Sequence, residues 1–380
     1  MISTKADAIG IIFPNSYDGL VPELVTERLM ASIPFAGRYR LCDFMISSMV
    51  QSGIDDISLM VRKNYRSLMD HLGSGREWDL ARKKGGLNIV PPYSQKSVGA
   101  YFGRIEALKG LLGYLRKHNE EYVIITDSNV VVNFNFRDLI KKHVDSGADI
   151  TAVYRRMPIP ASLNRPSEEN GELYYSFEIE NDFVKKVYIN PSDSGDVNFN
   201  LNMYILGREK LIELVEDAYV HGATYFARDI IIPQLDRLSV QAYHYDGYLA
   251  HIHDMKSYFD ENMRLLEDEN LNALFSGNRI YTKIRDDNPT RYLDGAFANN
   301  VLVADGCIIE GHIENSILFR GVKVKKGAVV KNCILMQDTV VEENADIEYV
   351  ITDKNVRITK DNRLVGNDSY QVFVSKGCIV

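Results

Sequence analysis

The sequence has few cysteines and no long hydrophobic run. Its 380 residues include four cysteines, Cys42, Cys307, Cys333 and Cys378, which lie far apart and form no CxxC pair. This spacing argues against a zinc site and a disulfide framework, and favours reduced thiols in a cytoplasmic protein. The first apolar run, Ala8–Phe13, is too short for a signal peptide or a membrane span, and it predicts a buried strand.

The sequence also lacks an excess of basic residues. Its formal net charge is −8 and its pI is near 5.6. A nucleic-acid or anionic-membrane partner requires a basic surface, so neither is expected. Small phosphorylated ligands are not excluded, because a few local Lys and Arg side chains are enough to bind them. The length favours two domains, or one domain with an extension.

Strands and helices alternate over the first 250 residues. Ala8–Phe13 and Tyr122–Thr126 are continuous apolar runs typical of strands buried on both faces. Arg104–Lys117 carries leucines and isoleucine on one face and predicts an amphipathic helix. The alternation indicates an α/β sheet, whose ligands bind at the carboxyl ends of the strands. Asp127 directly follows one of these strands and is therefore a candidate site residue.

The pattern changes beyond about residue 295. Apolar residues then recur every six positions, at Val322, Ala328, Ile334 and Val340, with Gly, Asn, Asp and Lys between them. This period is typical of a hexapeptide β-helix; a run of short antiparallel strands is the alternative. We predict an α/β domain over residues 1–250, a helical linker over 251–295 and a β-helix over 296–380. The faces and ends of such solenoids favour oligomerisation, including with copies of the same chain.

The stretch Ile33–Ile54, IPFAGRYRLCDFMISSMVQSGI, resembles the PFxGxYRxxDFxxSNxxNSGI signature of the glucose-1-phosphate adenylyltransferase (ADP-glucose pyrophosphorylase) family. Further segments that resemble the family are Phe226–Pro233 (FARDIIIP), Gly247–Leu266, Asn315–Val324 and Ile351–Ile358. The resemblance implies a Rossmann-like, GT-A-like nucleotidyltransferase domain with a mostly parallel mixed sheet, followed by a left-handed parallel β-helix. It also implies the reaction of ATP with glucose-1-phosphate to give ADP-glucose and pyrophosphate, with Mg²⁺.

The chain departs from the family where phosphate should bind. The family has a glycine-rich loop after the first strand, and glycines there let backbone N–H groups approach phosphates. Here Pro14, Asn15 and Ser16 stand in that place. Leu20 matches the arginine of the loop, and Met30 matches a lysine that neutralises pyrophosphate. We therefore expect the loop to hold a triphosphate poorly.

The implied metal site is also altered. Asp127 matches the first of two aspartates that hold Mg²⁺ in the family, and His251 stands at the second. A neutral imidazole is a poor ligand for Mg²⁺, and Asp254 would need a shifted loop to replace it. Asp127 is thus either a vestigial catalytic and metal-binding residue or a turn cap. Mg²⁺ is expected in an active complex, with none bound tightly by this chain.

The implied sugar-phosphate pocket is degenerate as well. Asn190 matches the lysine that contacts the phosphate, and Asn200 opens the segment that contacts the sugar. Lys185 and Lys186 are near, but strand alternation turns only one of them, taken as Lys186, toward the pocket. The family's GTADA segment has its nearest counterpart in GRIEA, which begins at Gly103.

Arg38 and Arg40, in the GRYR motif, are candidates for phosphate contact, with surface ion pairs as the alternative. Three hypotheses follow. The first is a regulatory subunit with little activity, of the D type, that forms heterotetramers with a catalytic homologue and responds to small phosphorylated effectors. The second is a divergent but active nucleotidyltransferase. The third is a module that senses a sugar phosphate or nucleotide without turnover.

Overall fold

A computed structural model describes residues 5–91, 103–160, 163, 174–191 and 195–380. The strands of the first part are β1 (Ala8–Phe13), β2 (Pro34–Phe35), β3 (Tyr39–Arg40), β4 (Asp56–Met60), β5 (Gly86–Val90), β6 (Tyr122–Asp127), β7 (Val130–Val132), β8 (Ile150–Pro158), β9 (Tyr175–Glu180), β10 (Phe183–Ile189), β11 (Asp196–Gly207), β12 (Val240–His244) and β13 (Leu249–His251). The helices are α1 (Pro22–Val25), α2 (Leu41–Gln51), α3 (Arg66–Leu72), α4 (Arg104–Leu115), α5 (Phe136–Ser146), α6 (Arg208–Val220), α7 (Met255–Met263) and α8 (Asp268–Phe275).

The described strands form a mixed sheet in the order β5-β4-β1-β6-β11-β8-β12-β10-β9. The strands β5, β4, β1 and β6 are parallel, and β11 runs antiparallel to both β6 and β8. The expected mixed sheet of an α/β domain is thus confirmed, but its described strands make four parallel and five antiparallel pairings, with the antiparallel ones concentrated at one side. Phe13 pairs with Asp127, so the carboxyl ends of β1 and β6 lie side by side. This edge carries the candidate site.

Apolar side chains cover both faces of the sheet. One cluster packs α2 and α5 against the sheet, and the other packs α4 and α6 against the opposite face. The predicted apolar face of α4 is buried as expected, because its leucines and isoleucine fall at helical spacing. Two helices, α7 and α8, lie within the predicted helical linker over residues 251–295. The chain turns between them, where the backbone of Glu267 is extended.

The C-terminal part is built of short parallel strands. They are β14 (Arg291–Tyr292), β15 (Phe297–Val303), β16 (Ile308–Ile309), β17 (His312–Leu318), β18 (Lys323–Val324), β19 (Val329–Lys331), β20 (Ile334–Leu335), β21 (Val340–Val341), β22 (Asp346–Glu348), β23 (Val350–Thr352), β24 (Arg357–Ile358), β25 (Arg363–Val365) and β26 (Val372–Val374). They stack into the sides of a left-handed β-helix, which confirms the predicted architecture.

The coils of the β-helix differ in length. Ala298 pairs with Ile313, Lys323 with Val340 and Val350 with Val372, so these coils advance by 15, 17 and 22 residues. None of the three equals three full hexapeptides. The six-residue spacing in the sequence therefore holds over short stretches and shifts between coils.

The two parts of the chain pack tightly against each other. An apolar cluster joins Met30, Phe35 and Phe44 of the α/β domain to Ile317 and Met336 of the β-helix. Beside it, the Arg28 guanidinium donates to both carboxylate oxygens of Asp353, at 2.6 and 2.9 Å. Both residues are buried, so this ion pair fixes the β-helix against the segment between α1 and β2.

Candidate functional site

Asp127, at the end of β6, is fully buried and already paired with a cation. Arg104, the first residue of α4, donates to one carboxylate oxygen, and the Ser16 hydroxyl donates to the other at 2.8 Å. The same Arg104 nitrogen lies 3.3 Å from the Ser16 oxygen. The guanidinium also lies 5.3 Å from the centre of the Phe13 ring. These contacts tie α4, the loop after β1 and the end of β6 to one point.

Arg104 and Asp127 each stabilise the charged form of the other. Burial lowers the pKa of Arg104, but the charge of Asp127, the hydrogen bond to it and the nearby Tyr17 and Tyr204 together raise the pKa overall. Burial raises the pKa of the Asp127 carboxyl, while Arg104 and the hydrogen bond from Ser16 oppose that rise. Sequence reasoning missed Arg104. The only signal was its position in GRIEA, the segment that stands where the family has GTADA.

The loop after β1 is closed by its own hydrogen bonds. The Asn15 amide donates to Asp18 at 2.7 Å, and the Asn15 carbonyl accepts from the Arg62 backbone N–H at 2.8 Å. Asp18 also accepts from the Met30 backbone N–H at 2.7 Å. Burial raises the pKa of Asp18 to about 6 against these hydrogen bonds. Asn15 therefore holds the loop together, because both the amide and the carbonyl of its side chain form hydrogen bonds within the protein.

Met30, at the position of the family's lysine, is fully buried in the apolar cluster that joins the two domains. Tyr17 occupies the left-handed region at φ 65°, a conformation that favours glycine. Its side chain fills space within the site and accepts a hydrogen bond from the Asn202 amide at 2.7 Å. The Tyr17 side chain is thus fixed within the site, whereas Met30 belongs to the core between the domains.

Asn200 belongs to a polar network on β11. Its amide donates to the Tyr204 hydroxyl and, at 3.1 Å, to the Asn202 side-chain carbonyl. The Asn202 backbone N–H donates to Asn200 at 3.0 Å, across an irregularity in the pairing of β8 and β11. Asn202 also lowers the pKa of Asp127 through its side chain, so this network lies beside the carboxylate.

The contacts of Asn190 and Lys186 lie around β9 and β10. Asn190 accepts from the Tyr174 backbone N–H at 3.0 Å, which fixes the end of β10. Lys186 pairs with Glu178 at 3.4 Å, and Lys185 pairs with Glu180 at 3.6 Å. Both lysines are exposed because the strand pairing shifts register beside them. The alternation expected for this strand therefore does not hold, since a bulge lets neighbouring residues share a side.

His251, at the end of β13, is buried and neutral. Its Nε2 accepts from the Asn129 amide at 3.1 Å, and its ring stacks on His253 with 5.3 Å between centres. Burial, assisted by His253, lowers the pKa of His251 to about 3. Asp254 caps α7 by accepting from the Ser257 backbone N–H at 2.6 Å, so its carboxylate has a structural role.

These residues do not fit a magnesium ion. Mg²⁺ requires oxygen ligands in octahedral geometry, and at least one carboxylate normally faces it. The Asp127 carboxylate faces a guanidinium instead, and His251 offers a nitrogen that already accepts a hydrogen bond. The Arg104 guanidinium is therefore the cation that pairs with Asp127.

A second feature is a cationic cleft between the α/β domain and the β-helix. Its volume is about 480 Å³. The lining comes from distant parts of the chain and includes Arg38, Arg40, His71, Lys283, Arg285, Arg320 and Lys354. Arg38 is exposed at its rim, whereas Arg40 donates to the Ser67 backbone carbonyl at 2.7 Å. The structure thus brings together the two arginines that the sequence singled out.

Crowded positive charge marks this cleft. Burial, followed by the charges of Arg40 and Arg28, lowers the pKa of Lys354 to about 7. Burial, followed by the charges of Arg38 and Arg285, lowers the pKa of Arg320. Like charges held this closely are relieved by an anion. The sequence could not identify this site, because four of its cations come from segments more than 200 residues from the GRYR motif.

Comparison with known proteins agrees with this architecture. Residues 24–162 match the nucleotidyl transferase family model, and residues 288–380 match the GlmU-like C-terminal hexapeptide model. The chain is 32% identical over 374 residues to the glycogen biosynthesis protein GlgD of Bacillus subtilis (strain 168), covering 98% of this chain and 96% of that one. It is 29% identical over 334 residues to the glucose-1-phosphate adenylyltransferase of Geobacillus stearothermophilus, covering 86% and 84% of the two chains.

No helix in the described ranges is both long and apolar enough to cross a membrane. The identity to GlgD extends over nearly the full length of both chains and includes both domains. This protein therefore belongs to the glucose-1-phosphate adenylyltransferase family, as a GlgD-type member.

Proposed function

We propose that this chain is a regulatory subunit of ADP-glucose synthesis in glycogen biosynthesis, with little or no turnover of its own. Its partner is a homologous catalytic subunit, which makes ADP-glucose and pyrophosphate from ATP and glucose-1-phosphate, and the two form a heterotetramer. The names of the relatives support this role, since one group is named for glycogen biosynthesis and another for glucose-1-phosphate adenylyltransferase activity.

The observation that carries the proposal is the pairing of Arg104 with Asp127. Phosphoryl transfer depends mainly on positioning and on cations placed to stabilise developing charge. Here the buried carboxylate that would hold a catalytic metal ion is neutralised by the chain itself. The loop after β1 meanwhile presents Tyr17, and Met30 lies in the core. These losses act on the same step, so they support an inactive or very weak site.

The cationic cleft supports a regulatory role. It joins the α/β domain to the β-helix, so an anion bound there contacts both domains at once. The size of the cleft and its guanidinium and ammonium groups suit a small phosphorylated metabolite. A ligand that favours one arrangement of the two domains shifts the population of the assembly. The same cleft would serve a sensing module without a catalytic partner, which is the second candidate function.

The test is an assay of ADP-glucose synthesis with the purified chain alone, a catalytic homologue alone, and both together. We expect no turnover by this chain, co-elution of the two chains by size exclusion with light scattering, and a changed rate or effector response in the mixture. Turnover by the isolated chain contradicts the proposal. Absence of both co-elution and any change on mixing favours the sensing module.

Two variants make this test specific. Arg38→Gln removes an exposed cation from the cleft, and Lys360→Gln removes an exposed cation from the β-helix, where Lys360 pairs with Glu343 at 3.2 Å. We expect the first variant to weaken the effector response of the mixed assembly and the second to leave it unchanged. Equal effects of the two variants would show that net charge, rather than the cleft, is responsible.

A further inference from the structure

Arg104 is held rigidly where it meets Asp127. It begins α4 directly after Gly103, and a Cβ at Gly103 would lie 2.4 Å from the Thr224 side chain and 2.5 Å from the Thr224 carbonyl oxygen. The Ile105 backbone N–H donates to the same carbonyl at 3.3 Å. The start of the helix is thus pressed against Thr224, which leaves Arg104 little freedom to move away from Asp127.

The polar groups at this point are balanced without a metal ion. Asp127 contributes one negative charge, Arg104 one positive charge, and His251 is neutral. A divalent ion would bring two further positive charges beside a largely buried guanidinium, and Asp127 is already paired with that guanidinium. Repulsion at such short distance in a water-poor site is strong.

We propose that Arg104 is a built-in cation that takes the place of a divalent metal ion at Asp127. The natural chain does not bind a divalent ion at this position. Removal of the Arg104 charge creates a cation-binding site formed by Asp127 and the Ser16 hydroxyl. This inference concerns the end of β6 and is separate from the role of the cationic cleft.

The experiment measures Mn²⁺ binding to the full chain by electron paramagnetic resonance, with thermal unfolding as a second readout. Four proteins are compared: the natural chain, Arg104→Ala, Arg104→Lys, and Arg104→Ala combined with Asp127→Asn. The lysine variant keeps the positive charge while changing the shape. The double variant identifies Mn²⁺ that is bound at other acidic groups.

We expect Arg104→Ala to bind Mn²⁺ about tenfold more tightly than the natural chain, because it leaves a buried carboxylate unpaired. The gain disappears in the double variant, and Arg104→Lys behaves as the natural chain does. Mn²⁺ raises the melting temperature of Arg104→Ala alone, since an ion that binds only the folded state stabilises it.

Three results overturn the proposal. The first is Mn²⁺ bound by the natural chain and lost on the single change Asp127→Asn. The second is a folded Arg104→Ala variant, verified by its circular dichroism and cooperative melting, that gains no Mn²⁺ dependent on Asp127. The third is an equal gain in Arg104→Ala and Arg104→Lys, because charge would then not be the cause.

Discussion

The ion pair between Arg28 and Asp353 joins two parts of the chain that lie 325 residues apart. Its members are 2% and 4% exposed, and its two hydrogen bonds are short. The change Asp353→Ala leaves a buried guanidinium without its carboxylate partner, although it still donates to the Leu24 carbonyl at 3.3 Å. We expect the free energy of unfolding to fall by about 3–5 kcal/mol, the range for breaking one side of a buried ion pair.

The assay is urea unfolding, followed by the fluorescence of Trp78, the single tryptophan, and by circular dichroism. Trp78 is buried in the α/β domain against His71, so its signal reports that domain directly. If the ion pair couples the domains, the loss appears in the Trp78 transition although the changed residue lies in the β-helix.

Two controls separate the charge effect from a general loss of packing. The double change Arg28→Met and Asp353→Leu replaces the pair by apolar groups and should cost much less than Asp353→Ala. Asp145→Ala removes a partner of exposed Lys141 and should leave the midpoint unchanged. A loss below about 1 kcal/mol for Asp353→Ala, or a double variant as unstable as the sum of the single changes, would refute the reasoning.

Three further predictions follow from the site. Met30→Lys places a charge in the apolar cluster, so we expect a loss of about 2 kcal/mol or more in urea unfolding and no gain of ADP-glucose synthesis; measurable synthesis would contradict this. The pKa of Asp18 is raised to about 6, so its contribution to stability is present below pH 4 and is lost as the pH rises through 6. Asp18→Asn should therefore flatten the pH profile of the melting temperature over that range, and an unchanged profile would contradict the assignment. The pKa of Lys354 is lowered to about 7, so sulfate should bind the cleft about tenfold more tightly at pH 6 than at pH 8 by calorimetry, and Lys354→Met should abolish this difference; a difference that survives in the variant would point to another group.

The fold was largely accessible from the sequence, because its signals are local. Continuous apolar runs predict β1 and β6, and helical spacing of apolar residues predicts α4. Each buried face requires apolar side chains at the spacing of its strand or helix, so the sequence shows which element forms. The six-residue period predicts the β-helix for the same reason. The coil lengths of 15, 17 and 22 residues were not predicted, because they are decided by how the corners of successive coils stack.

For the site, the sequence showed only which residues differ from the family pattern. The sequence placed Asp127 at the end of a buried strand and a histidine where a carboxylate was expected. It could not show that Arg104 reaches Asp127, because that contact depends on the packing of α4 against Thr224 and β1. Nor could it show that Lys185 and Lys186 are both exposed, because a bulge arises from strand pairing rather than from composition.

The sequence by itself therefore determined which elements form and which groups of a nucleotidyltransferase site are missing. Tertiary structure alone decided what replaces them: a guanidinium on a buried carboxylate, and a cationic cleft assembled from segments of both domains. The physical reason is that hydrophobic periodicity is written along the chain, whereas charge interactions depend on distances between residues remote in sequence.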